Sequence, residues 1–232
     1  MICSGRPLPG VQPFLKSLDL ADRNDQYVVS FGGAVIQTTA GQMISSQPIT
    51  YDNYLNLELL ARKKRLHFHA ISAERIYTAD RDIGHYTVRE SQIANLEISY
   101  RTPEELRNIQ LIKAMFIDDP SKLEQAMKDW QPFAALENQI AFTKSAPFYL
   151  EANALGVNKG HALELLARKL GLQPAEIMAI GDEGNDLSMI KYAGLGVAMG
   201  NAIPLVKAAA DTQTADNDHH GVAIALEKYV LK

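Results

Sequence analysis

An apolar run at Ile177–Ile180 stops abruptly at the acidic loop Gly181-Asp182-Glu183-Gly184-Asn185-Asp186. Four apolar residues bounded by glycine are typical of a strand that is buried on both faces, as strands of parallel sheets are. Apolar residues then recur at helical spacing at Leu187, Met189 and Ile190, so the loop joins a strand to a helix. Because ligands bind at the carboxyl ends of the strands in open parallel sheets, this segment predicts a ligand site as well as an α/β fold.

The flanking sequence continues the same alternation of helix and strand. Asn158 is a helix-capping residue, and Gly171 is placed to end the helix that follows. Strands are predicted at Leu195–Met199 and Asp211–Thr214, and a last helix follows Gly221. The pattern predicts an α/β fold with a mostly parallel sheet.

The middle of the chain has a different composition. Between Tyr51 and Ala154 there is a single glycine, Gly84, out of 15 in the chain, whereas this span holds 12 of the 17 aromatic residues. Parallel α/β folds need tight glycine turns, so we predict a core formed by residues 1–50 and 155–232. Residues 51–154 are predicted to be an inserted α+β domain.

Three segments carry residues suited to phosphate and metal chemistry. Three carboxylates in the Gly181–Asp186 loop suit a divalent cation with oxygen ligands, although a simple helix cap has the same composition. Lys159 opens a helix, where a bound anion would offset the repulsion between its charge and the helix end; the alternative is a solvated surface lysine. Ser4-Gly5-Arg6-Pro7 offers a hydroxyl and free N–H groups for a phosphate, as ordinary turns also do.

Several classes of function are disfavoured by charge and composition. The formal net charge of -4 provides no basic footprint for nucleic acid, and no apolar stretch has the length of a membrane helix. The single cysteine, Cys3, cannot form an internal disulfide, and the N-terminus does not have the pattern of a signal peptide. We therefore expect a cytoplasmic protein whose partner is a small molecule. Its oligomeric state stays open, and association with a second copy is one option.

Taken together, these segments resemble the haloacid dehalogenase-like phosphatases, in particular the Cof-type sugar phosphatases with a type IIB cap. The motifs that carry the resemblance extend along the whole chain: Ser4-Gly5-Arg6-Pro7, the Gly33-Ala34 turn, Asn158-Lys159-Gly160, Ile180–Asp186 and Gly196–Ala202. The resemblance implies a Rossmann-like core with an inserted cap that selects the substrate.

The resemblance also implies a role for each matching residue. In this family an aspartate attacks the phosphoryl group and Mg²⁺ offsets the charge repulsion. Carried onto this sequence, Ser4 and Gly5 would bind phosphate, and Lys159 would hold the nucleophile and the phosphoryl oxygens together. Asn185 would support the phosphate site. Asp182 would bind Mg²⁺, and Asp186 would bind or orient it.

Two departures from the family pattern affect these expectations. The Asp-x-Asp segment that carries the family's nucleophile and general acid precedes the Ser-Gly-Arg turn, and the printed sequence has only three residues before Ser4. We therefore expect the first core strand and helix to be missing, and the chain as written not to turn over sugar phosphates. Gly32 also stands where the family often has asparagine.

The leading hypothesis is a Mg²⁺-dependent phosphatase of sugar phosphates or similar small metabolites. The alternative is a non-catalytic protein that binds a phosphorylated metabolite or another chain. A nucleotide-binding module is weaker, since no Gly-x-Gly-x-x-Gly turn follows a strand.

Other candidate residues have plainer interpretations. His67 and His69 are expected on an exposed strand face, and Cys3 in the core. His219-His220 is expected in a loop, and Arg62–Arg65 at the cationic end of a helix.

Overall fold

The computed structural model describes residues 1–231, which divide into two compact units. The first unit is Met1–Val157, and the second begins at Asn158. No helix in the described part of the chain is both long and apolar enough to cross a membrane. The division of the chain into the predicted core and inserted domain stays a prediction.

Strands and helices alternate along much of the chain. The strands are β1 (Ile2–Cys3), β2 (Tyr27–Ser30), β3 (Val35–Thr38), β4 (Met43–Ser46), β5 (Phe68–Ile71), β6 (Arg75–Thr78), β7 (Glu97–Tyr100), β8 (Lys113–Ile117), β9 (Ile140–Ala146), β10 (Tyr149–Ala154), β11 (Met178–Gly181), β12 (Leu195–Ala198) and β13 (Thr212–Gln213). The α-helices are α1 (Leu8–Ser17), α2 (Tyr51–Lys64), α3 (His85–Ala94), α4 (Pro120–Lys128), α5 (Gln131–Ala134), α6 (Lys159–Leu170), α7 (Leu187–Tyr192), α8 (Pro204–Ala209) and α9 (Gly221–Tyr229).

The first unit contains two sheets. Strands β1-β2-β3-β4 form one sheet, in which only the β1–β2 pair is parallel. The second sheet has the order β7-β6-β5-β8-β10-β9 and is antiparallel except for β6 and β7. The segments that lead into and out of the second sheet are tied together, since Gln47 Nε2 donates to the Leu155 carbonyl at 2.7 Å.

Both faces of the six-stranded sheet carry an apolar core. On one face, Phe68 and Phe116 pack with Leu57 of α2 and Phe133 of α5. On the other, Ile117 and Tyr149 belong to a cluster that also contains Ala94 of α3 and Phe31 of the turn after β2; these residues are all buried. The sheet is therefore a central layer of the first unit and is covered by different elements on each side.

The second unit is the parallel α/β unit that the sequence predicts. Strands β11, β12 and β13 are parallel, with Met178 opposite Leu195 and Val197 opposite Thr212. The predicted cap and stop of α6 are confirmed, because the Asn158 side chain accepts the His161 N–H and Gly171 has a φ of 71°.

Candidate functional site

The acidic loop lies at the carboxyl end of β11, as predicted. Its last residues, Gly184–Asp186, form one turn of 3-10 helix that leads into α7. A Cβ atom on Gly181 would lie 2.5 Å from Cβ of Asp186, so only glycine lets the strand end approach this aspartate so closely. The Asp186 Oδ2 atom accepts the N–H groups of Asp182 and Glu183 at 3.0 and 3.1 Å, and thereby fixes the shape of the loop.

Lys159 and Asp186 form a buried ion pair across the second unit. The Lys159 Nζ atom lies 2.5 Å from Asp186 Oδ1, and the two side chains are each 7% exposed. The interpretation of Lys159 as a solvated surface residue is therefore wrong. The negative charge that offsets the unfavourable lysine at the start of α6 belongs to Asp186, 27 residues further along the chain.

Asp182 is held by a residue that sequence reasoning did not single out. Asn201, in the loop after β12, donates from Nδ2 to Asp182 Oδ2 at 2.8 Å, and its own Oδ1 accepts the Asn217 N–H at 3.1 Å. Asn201 follows the neighbouring strand of the parallel sheet, and this position could have indicated its role. Asp182 is half-buried, whereas Asn185 is exposed.

The carboxylate oxygens of Asp182 and Asp186 fit a magnesium ion whose other ligands are mainly water and phosphate oxygens. Both Asp186 oxygens are engaged, with Lys159 and with the loop N–H groups, so this residue is placed to orient the loop. Asp182 uses one oxygen for Asn201, which leaves the other for a cation. Within residues 1–231, no group of three or more His, Cys, Asp or Glu side chains is arranged to hold a metal. Mg²⁺ commonly takes one or two carboxylates and completes its shell with water and substrate oxygens.

The Ser4-Gly5-Arg6 loop lies in the first unit, between β1 and α1. Ser4 Oγ accepts the Arg6 N–H at 3.1 Å, which leaves its hydroxyl hydrogen to donate. The loop is fixed against the turn after β2, because Gly32 N–H donates to the Ser4 carbonyl and Phe31 N–H to that of Arg6. Gly5 is exposed, and a Cβ atom there would meet nothing within 4 Å.

His69 does not lie on an exposed strand face, which corrects the prediction. Its side chain is 0% exposed, and Nδ1 lies 3.3 Å from Thr87 Oγ1 of α3. Burial, with a smaller effect from the Lys113 charge, lowers the pKa of His69 to about 3. His67 precedes β5, is only half-buried, and places Nδ1 3.1 Å from Asp118.

Arg62–Arg65 lies at the C-terminal end of α2, as predicted, with Arg65 in the left-handed conformation that ends the helix. His219 ends a single 3-10 turn before α9 and contacts Asp216, while Cys3 is half-buried in β1.

Comparisons with known proteins agree on one family of hydrolases. The family model described as haloacid dehalogenase-like hydrolase matches residues 1–226. The "Putative phosphatase" of Streptococcus pyogenes serotype M6 is 43% identical over 231 residues, with 100% of this chain and 85% of that protein covered.

A second relative and a solved structure extend this similarity. The 5-amino-6-(5-phospho-D-ribitylamino)uracil phosphatase YcsE of Bacillus subtilis is 29% identical, with 100% of this chain and 82% of that protein covered. The crystal structure of a haloacid dehalogenase-like hydrolase from Bacteroides thetaiotaomicron superposes with a TM-score of 0.86 at 29% identity, and covers 98% of this chain and 86% of its own.

Proposed function

Because this chain belongs to the haloacid dehalogenase-like hydrolase family, we propose that it carries the phosphate and metal ligands of a Mg²⁺-dependent phosphomonoesterase of sugar phosphates or similar small metabolites, and that residues 1–232 alone do not turn these esters over. The observation that carries the proposal is the buried Lys159–Asp186 pair beside Asp182 at the carboxyl end of β11. A buried ion pair that only stabilised the fold would be replaceable by apolar side chains, so its place at a ligand-binding strand end favours a functional role.

Each residue has a separate task in this proposal. Ser4 donates its hydroxyl hydrogen, and Gly5 its backbone N–H, to phosphoryl oxygens. Lys159 supplies a positive charge for a phosphoryl group, and Asp186 keeps that ammonium in place. Asn185 provides a side-chain amide to the phosphate site.

Asp182 is the proposed ligand of Mg²⁺, with Asn201 and Asp186 as positioning residues. Mg²⁺, when bound, supplies positive charge that lets two anionic groups approach each other. Asn201 holds one Asp182 oxygen and thereby directs the other. Asp186 shapes the loop through the Asp182 and Glu183 N–H groups.

Phosphate release is the direct test of this function. It is measured with glucose 6-phosphate and p-nitrophenyl phosphate, with and without Mg²⁺, for residues 1–232 and for the protein isolated from its own cells. Release by the protein from cells that needs Mg²⁺ and is lost in Asp182→Asn supports the proposal. Tight binding of glucose 6-phosphate without release by either form would favour the non-catalytic alternative.

The metal site has an independent readout in calorimetric titration with Mg²⁺. Outer residues that orient a metal ligand typically change affinity by about 10-fold or more when they are replaced. We expect this loss in Asn201→Ala. Asn217→Ala is the matched control, because Asn217 contacts Asn201 only through its backbone N–H. Equal affinity in the two variants would place the metal elsewhere.

A further inference from the structure

A charged cleft lies in the first unit, at the end of the six-stranded sheet where β5 begins and β6 and β8 end. Its volume is about 440 Å³, and small-molecule sites usually measure about 300–1,000 Å³. Four cationic and two acidic side chains line it: Arg62, Arg65, Arg81, Lys122, Asp80 and Asp82. None of them belongs to the phosphate or metal site proposed above.

Two of the four cations are already neutralised by the protein. Arg62 and Lys122 each form an ion pair with a carboxylate four positions earlier in the chain, at 2.5 and 2.7 Å. The side chains of Arg65 and Arg81 make no ion pair or hydrogen bond with any of residues 1–231. Their guanidinium groups are therefore available to an anionic ligand, and arginine binds phosphate oxygens through paired N–H groups.

The two aspartates of the cleft do not neutralise these arginines. Asp80 is half-buried and accepts the Phe68 N–H through Oδ2 at 3.0 Å, while Asp82 is exposed. Neither forms an ion pair within the described part of the chain. Opposite charges that line one cavity without pairing suit a ligand that has both an anionic group and hydroxyl donors.

Arg65 has a backbone conformation that disfavours arginine. It ends α2 in the left-handed region, with φ 55° and ψ 37°. At the ends of α3 and α6 the same position is occupied by Asn95 and Gly171, the residue types that are usual there. Glycine would adopt this conformation without strain, so the presence of arginine favours a role for its side chain beyond ending the helix.

A second cavity adjoins the cleft. Its volume is about 380 Å³, it shares Asp80 and Arg81 with the cleft, and it is also lined by Ile83 and Tyr100. Both of these side chains are exposed although they are largely apolar. A tyrosine ring beside an aliphatic side chain offers a surface on which a flat aromatic ring can stack. Because Arg81 lines both cavities, one ligand can contact both of them.

We propose that the cleft and the adjoining cavity bind a nucleotide whose phosphate lies on Arg65 and Arg81. A phosphate monoester carries a charge of about -1.5 to -2 at neutral pH, which matches the two unpaired guanidinium groups. The base stacks on Tyr100 and Ile83, and the ribose hydroxyls donate to the aspartates of the cleft. A free nucleotide is favoured over a nucleic-acid chain, because the formal net charge of the protein is -4. This inference does not depend on the proposed phosphatase function.

Calorimetric titrations with AMP, adenosine and ribose 5-phosphate test the proposal without Mg²⁺ or turnover. We expect AMP to bind at least about 10-fold more tightly than either fragment, because each fragment lacks one of the two main contacts. Ser4→Ala removes a donor of the separately proposed phosphate site, and AMP affinity should stay within about 2-fold in this variant.

Single substitutions assign the contacts of the phosphate and the base. Arg81→Gln should weaken AMP binding by about 10-fold or more and leave adenosine within about 2-fold, since only AMP has the phosphate. Tyr100→Ser should weaken AMP and adenosine but not ribose 5-phosphate. Lys63→Gln is the matched control, because Lys63 is an exposed cation of α2 that lines neither cavity, and it should change none of the three affinities.

Arg65→Gly separates ligand binding from the ending of the helix. Its thermal midpoint should be no lower than that of the unmodified protein, because glycine relieves the left-handed strain. AMP affinity should nevertheless fall by about 10-fold. A residue that served only to end α2 would leave AMP affinity unchanged.

Two results would overturn the proposal. One is unchanged AMP affinity in Arg65→Gly and Arg81→Gln. The other is tighter binding of an oligoadenylate RNA than of AMP, weakened equally by Lys63→Gln, which would assign this surface to nucleic acid. Either result would leave the phosphatase proposal standing, since that proposal is tested by phosphate release and by Asp182.

Discussion

At the scale of single residues, the buried Lys159–Asp186 pair makes a prediction about stability. Breaking a buried ion pair leaves an uncompensated charge and costs about 3–5 kcal/mol, whereas removing both charges is often close to neutral. We expect Lys159→Met to destabilise the second unit by that amount, and Lys159→Met/Asp186→Asn to recover most of it. In the double variant the amide oxygen can still accept from the loop N–H groups.

Hydrogen exchange of the α6 amides measures this effect in the second unit itself. Lys169→Met, an exposed change at the other end of α6, controls for the loss of a lysine from the helix. Equal protection in all three variants would mean that the pair contributes little to folding.

His69 makes a prediction about pH. Its pKa is about 3 in the folded protein, whereas an unperturbed histidine titrates near 6.5. The unfolded chain therefore binds more protons between these values, and the folded state loses stability as the pH falls below about 6.5. From pH 7 to pH 5 this single group should lower the unfolding free energy by about 2 kcal/mol.

Urea titrations followed by the fluorescence of Trp130, the single tryptophan, report on the unit that contains His69. We expect His69→Gln to lose most of this dependence on pH, and His161→Gln, at an exposed site, to retain it. The same slope in all three proteins would contradict the assignment.

Single residues also show what sequence can and cannot reveal. Asp182 and Lys159 stand out because of their neighbours in sequence, at a strand end and at a helix start. Their partners Asn201 and Asp186 come from other elements, 19 and 27 residues away, and no local pattern pairs them. His69 was misassigned for the same reason, since the helix that covers it is formed by residues further along the chain.

At the scale of elements, the helices and strands that were predicted correctly are those with the strongest local sequence patterns. The helices and parallel strands after Asn158 were predicted closely, because buried strands and capped amphipathic helices have strong signatures. Helix α3 was missed because it is largely polar and begins at Gly84 without a side-chain cap. Strand β9 was missed because it lies at a sheet edge and its residues Thr143 to Ser145 are exposed, so its apolar alternation is weak.

The turn after β2 makes a prediction at this scale. Phe31, Gly32 and Gly33 have φ values of 52°, 68° and 115°, a run of left-handed residues that anchors the Ser4 loop. Gly32→Val should destabilise the first unit by about 1–2 kcal/mol, because a branched side chain is disfavoured in this region.

Gly32→Asn is the matched variant. It should stay within about 1 kcal/mol of the unmodified protein, since asparagine tolerates the left-handed region and a Cβ atom at Gly32 meets nothing within 4 Å. Thermal unfolding of the two variants checks the ranking. Equal destabilisation by valine and asparagine would show that space, and not backbone conformation, limits this position.

At the scale of the whole molecule, the insertion predicted at residues 51–154 should determine which ester is accepted. Lys159 and Asp182, the proposed phosphate and metal ligands, lie outside this segment. Exchange of this segment for that of a relative with a different substrate should transfer the order of preference among phosphate esters and leave inorganic phosphate binding within a few fold. An unchanged order after the exchange would assign selectivity to the remaining residues.

The hydrogen bond between Gln47 and the Leu155 carbonyl joins residues that are 108 positions apart in sequence. It holds the two ends of this segment beside each other. The entropy lost in closing a chain segment grows only with the logarithm of its length, so doubling that length costs about 0.6 kcal/mol more. Adding residues to the middle of the segment, or deleting them, therefore changes the free energy of closing it very little. Such a junction allows the segment to change in length while the strands on either side of it keep their geometry.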